Sequence, residues 1–99
     1  MPKYLFTGSY TEEGLKGLLK DGGSKRKEAV EQLMKSLGGT LEAFYYAFGD
    51  NDVFVIADLP DNVSCAAGAL IVSASGAFQT KTVVLVTPEE VDQAVKKTV

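Results

Sequence analysis

The apolar positions along these 99 residues change period several times, and each change marks an element. Residues 3–10, KYLFTGSY, form an apolar and aromatic run suited to a first strand. Residues 11–23, TEEGLKGLLKDGG, hold four glycines and two adjacent acids. They read as a loop in which Leu15, Leu18 and Leu19 add at most one short helical turn. Ser24 carries a hydroxyl suited to an N-cap, and beyond it the apolar positions become Val30, Leu33, Met34 and Leu37. That i, i+3, i+4, i+7 spacing predicts an amphipathic helix, which Gly38-Gly39 ends.

Two strands follow, 40–48 and 53–59, separated by the polar knot Gly49-Asp50-Asn51-Asp52. Pro60 and Asp61 stop the second of these and cap a helix over 62–75, with Val63, Ala67, Leu70 and Ala74 on one stripe. A last strand, 79–86, is heavy in β-branched residues, and Pro88 opens a terminal helix running to Val99. The order is β-α-β-β-α-β plus a helix. It predicts an α+β, ferredoxin-like fold, in which a four-stranded antiparallel sheet carries two helices on one face.

A sheet with one wet face alternates apolar and polar residues, because successive side chains point to opposite sides. These strands do not. In the second, Leu41, Ala43, Tyr45 and Ala47 share one face, and Phe44, Tyr46 and Phe48 share the other. In the third, Val53, Val55 and Ala57 oppose Phe54 and Ile56; in the fourth, Val84 and Val86 oppose Val83 and Leu85. Both faces call for burial, and the chain's own helices cover one. The pattern therefore predicts a homodimer packed through the open sheet face, with an interface above about 1,200 Å² and the terminal helix wrapping the partner.

Composition narrows the choice of partners. With 45% hydrophobic and 23% charged residues, the chain suits one small globular domain. Its net charge of -3 opposes binding to nucleic acid, which requires clustered cations with a basic excess. The longest apolar run, 65–72, is far short of the roughly 20 residues that span a bilayer. The first residues also lack the apolar centre of a secretory leader, so the expectation is a cytoplasmic protein without a membrane partner. The single cysteine, Cys65, lies in an Ala-rich helical run and reads as a buried structural thiol.

The chain contains no histidine. This removes the commonest general base, the commonest metal ligand and every His-activated nucleophile. The acids are scattered without ligand spacing, so neither a metal nor a cofactor is expected. Three candidate sites remain. Asp52, in the knot, is either a general base or ligand hook at the sheet rim, or simply part of a hairpin turn. Ser24, Lys25 and Arg26 follow Gly22-Gly23 at a helix start, where free amides and cations attract an anion; the plainer reading is a solvated basic turn. Tyr10, one of the adjacent pair Tyr45 and Tyr46 (Tyr46 being the named candidate), and Thr82 would line a cleft between sheet and helices. Residues 11–23 would form its lid.

The run FYYAFGDNDVFVIADLPDN at 44–62, with TEEG at 11–14, LGG at 37–39 and TKTVVLVTPEE at 80–90, resembles the GYD-domain family of small bacterial proteins. The family is named for a Gly-Tyr-Asp signature in this hairpin. Gly49 and Asp52 match its outer members, and Asn51 stands at the tyrosine's place. The resemblance implies the dimeric α/β-barrel architecture, with ligands bound between sheet and helices, and it implies no assigned activity. The leading expectation is a small dimeric non-enzymatic or regulatory module binding a small molecule or an anion in that cleft. One rival is a cofactor-independent enzyme of monooxygenase or isomerase type, with Asp52, Tyr46 or Tyr10 as acid or base. Another is a structural subunit of a larger oligomer.

Overall fold

A computed structural model describes residues 1–97. Its elements are β1 (Lys3–Tyr10), α1 (Glu12–Asp21), α2 (Gly23–Ser36), β2 (Thr40–Tyr46), β3 (Val53–Asp58), α3 (Asn62–Ala74), β4 (Phe78–Leu85) and α4 (Pro88–Val95). The strands form one antiparallel sheet in the order β2-β3-β1-β4, the ferredoxin-like topology expected above. The terminal helix is present as α4; the expected continuation to Val99 includes two positions, 98 and 99, outside the described residues.

The stretch expected to be a loop is instead the ten-residue helix α1. Thr11 caps it, its hydroxyl accepting the Gly14 N–H at 3.1 Å, and Glu12 and Glu13 place negative charge at the positive end of the helix dipole. The helix stops at Gly22, whose φ of +84° lies in the left-handed region. Gly22 is also the N-cap of α2, so the cap expected at Ser24 sits two residues earlier and uses no side chain. A single residue thus joins two helices at a sharp bend.

The core explains the strand faces. Tyr4 and Phe6 of β1, Val53, Val55 and Ala57 of β3, with Leu59, Met34 and Cys65, are buried under α2 and α3. The buried Tyr4 hydroxyl donates to the Asn62 side-chain oxygen at 2.6 Å, which ties β1 to the start of α3. β2 differs from strict alternation. A register shift between Leu41 and Ala43 puts Leu41 opposite Ala57 and Phe44 opposite Val55, so both pack on the core. One extra residue in a bulge has exchanged the face of everything before it.

In α3 the buried positions are Cys65 and Gly68, whereas Val63 and Leu70 of the expected stripe are 78% and 71% exposed. A helix apolar nearly all round contains several equally good stripes, and periodicity cannot choose between them. Cys65 is a buried free thiol, and burial pushes its pKa up.

Candidate ligand-binding cleft

α2 packs on β2 and α3 on β4, at opposite edges of the sheet. Between the two helices, over β1 and β3, lies a cleft of about 250 Å³. Phe6, Val53 and Val55 form its floor, Val30, Leu33 and Phe44 one wall, and Ala69, Val72 and Phe78 the other. Its surface is almost entirely carbon.

One end is different. Tyr10 and Arg26 enter the lining there, with Tyr10 edge-on to Phe78 at a centroid distance of 5.0 Å. Phe44 meets Tyr46 edge-on at 5.1 Å, and the Tyr46 hydroxyl donates to the Gly23 carbonyl at 3.0 Å, pinning the start of α2. Burial pushes the Tyr10 phenol well above its ordinary pKa, the neighbouring Tyr46 adds to that, and Arg26 acts against it. The Arg26 guanidinium pairs with Asp21 at 3.1 Å through Nη2, while its Nε–H is buried without a partner.

α1 packs against β1 and α2 at this same end. Its Gly17 lies directly against the Arg26 guanidinium, so that a Cβ there would collide with Nη2. Two of the four glycines that made 11–23 look like a loop, Gly14 against the Tyr10 ring and Gly17 against Arg26, are the places where α1 comes close enough to cover the tyrosine and the arginine.

Of the candidates read from the sequence, Tyr10 and Arg26 line the cleft and Tyr46 stands beside them. Thr82 is exposed and outside it, and Thr80, two residues earlier on the same strand face, lines it instead. Ser24 and Lys25 are exposed and do not line it. Asp52 does not reach the cleft. Its carboxylate accepts the Tyr10 backbone N–H at 3.0 Å, and its own backbone bonds Gly8 and Ala47 at 2.8 Å, which closes the hairpin onto β1. Among the described residues no three acids or thiols converge as metal ligands.

Sequence reasoning missed Asp21 and Gly17. Asp21 and Arg26 are five apart, a spacing no single helix face brings together; they meet because the chain bends at Gly22 between them. The signal for α1 was present in Thr11-Glu12-Glu13, a cap followed by acids, ahead of Leu15, Leu18 and Leu19 at helical spacing.

Among the described residues no helix is long and apolar enough to cross a membrane. No curated protein and no solved structure matches the chain. The model of the GYD domain matches residues 4–95, nearly the whole length, and the chain therefore belongs to the GYD-domain family.

Proposed function

We propose that this chain is a small-molecule-binding module that works as a symmetric dimer, with its ligand held between α2 and α3. The observation carrying this reading is the cleft itself, an apolar space of about 250 Å³ that ends in a tyrosine and an arginine. Apolar walls with a few convergent polar groups are the usual form of a ligand site. Binding is favoured over acid–base chemistry by what the polar groups already do. The Asp52 carboxylate is engaged with a backbone amide, and the raised pKa of Tyr10 keeps its proton in place at neutral pH.

The dimer rests on the other face of the sheet. Cross-strand pairing sets Ala43, Ile56, Leu5 and Val83 in one apolar row. Next to it run Tyr45, Phe54, Thr7 and Lys81, with Tyr45 70% exposed. On the far side Lys3 bridges Asp58 and Glu42, both at 3.0 Å, as a charged border. An apolar centre with a charged rim is the composition of a protein interface. α4, with Val91 and Val95 exposed on one side, is available to clasp a second copy.

The cleft is tested by titrating 1-octanol into the wild type and into Ala69→Phe, followed by NMR shifts of the lining methyl groups. Saturable binding by the wild type, lost when the phenyl ring fills the space, is expected. Equal binding by both proteins, or by neither, overturns the reading.

A further inference from the structure

We infer that the ligand of this cleft is a singly charged amphipathic anion, an aliphatic or aryl carboxylate of medium length, with its charged group at Arg26. This rests on the binding reading above and adds the ligand's chemistry to it.

Arg26 is the only charged side chain lining the cleft among the described residues. Its charge is only partly matched: Asp21 takes Nη2 and is itself a third exposed, and Nε–H has no acceptor although it is buried. A buried donor left unpaired is costly, and more so when it is charged, so native structures keep few of them. An oxygen arriving from the cleft relieves that deficit, and a carboxylate does so best, because its two oxygens match the planar fork of the guanidinium.

The neighbours agree. At neutral pH, where a carboxylate is ionised, the Tyr10 phenol keeps its proton, so it stands as a second donor beside Arg26. A cationic ligand would meet the guanidinium. A ligand polar along its length, such as a sugar phosphate, would leave its hydroxyls against carbon walls. The space suits a body of about ten non-hydrogen atoms, taking a water-sized share of roughly 30 Å³ as the upper volume of each.

Gly17 gives this end a means of control. Because α1 rests on the guanidinium through a residue without a side chain, an anion that draws Arg26 away from Asp21 also loosens one of the contacts that seat α1. Ligand entry and the seating of α1 are linked through one side chain.

The test is calorimetric titration of the full chain with octanoate and, separately, with 1-octanol, which shares the chain and lacks the charge. Octanoate is expected to bind the wild type about tenfold more tightly, a modest return for a charge-assisted pair in an apolar site. In Arg26→Gln that advantage of octanoate over 1-octanol disappears; Asp21→Asn, which removes the competing carboxylate, widens it. If 1-octanol binds and octanoate binds no better, or if the advantage survives in Arg26→Gln, the anion inference is overturned and the apolar cleft stands. If neither compound binds, the cleft reading falls and takes this inference with it.

Discussion

The carboxylate of Asp52 accepts the backbone N–H of Tyr10 at 3.0 Å, joining residues 42 apart in sequence. This bond holds the β2–β3 hairpin against the last residue of β1, directly before the Thr11 cap of α1. The knot is therefore both a turn and a clamp, and what it holds in place is the tyrosine at the polar end of the cleft. Asp52→Ala leaves the Tyr10 amide without its acceptor and is expected to destabilise the fold by about 1–3 kcal/mol. Asp52→Asn keeps an acceptor oxygen and is expected to recover most of that. Urea unfolding midpoints of the three proteins make the comparison; an alanine variant as stable as the wild type would show that the clamp contributes nothing.

Alongside the buried Tyr4, Tyr10 contributes to the alkaline behaviour. Its pKa is raised in the folded state, mainly by burial, so the folded protein holds this proton more tightly than the unfolded chain does. The sign follows by linkage: the stabilisation is fully present below the unfolded value of about 10 and is lost as pH rises through the folded one. Absorbance titration of tyrosinate should show two phenols ionising late, Tyr4 and Tyr10, both held up mainly by burial, and Tyr10→Phe should remove one of the two and lessen the loss of stability at high pH.

Gly17 separates helix propensity from site geometry. In an ordinary helix Gly→Ala gains about 1 kcal/mol. Here the new methyl group strikes the tip of a flexible arginine, which moves aside and gives up Asp21. A partly exposed ion pair contributes about 1 kcal/mol at most, so the two effects nearly cancel. Gly17→Ala is expected to match the wild type in thermal stability while losing discrimination between octanoate and 1-octanol. A variant that keeps the discrimination would remove the contact with α1 from the site.

Leu5 lies at the centre of the open sheet face, between Ile56 and Val83. Leu5→Lys places a charge in the middle of the proposed interface and is expected to yield monomers by sedimentation, with a melting temperature that no longer rises with protein concentration. A well-folded wild-type monomer at micromolar concentration would contradict the dimer.

The four strands, the helices α2, α3 and α4, their order and the ferredoxin-like topology were readable from the sequence, whereas the helix α1 was not; where a segment has one dominant apolar pattern, local chain physics follows it. α2 shows this: Val30, Leu33, Met34 and Leu37 are the residues that meet the core. Where a segment offered two patterns, reading failed. α3 had several apolar stripes and turned Cys65 and Gly68 inward; 11–23 had glycines, which mean flexibility in a loop and close contact in a packed helix.

Residue types alone determined what chemistry was open to this chain: a protein without histidine, with one cysteine and scattered acids, has few ways to build a catalytic centre. Tyr10 and Tyr46 were visible as members of one cleft, and Arg26 as part of a separate anion site. That Arg26 joins the two tyrosines was not visible, because it depends on long-range geometry: a bulge that sets the face of Leu41 and leaves Phe44 and Tyr46 on the helix side, and a bend at Gly22 that lets α1 fold back over Arg26. A one-residue shift in a strand reverses every side chain beyond it, and a positive φ redirects a whole helix. Small local events of this kind have large consequences at a distance, and only the packed molecule shows which of them occurred.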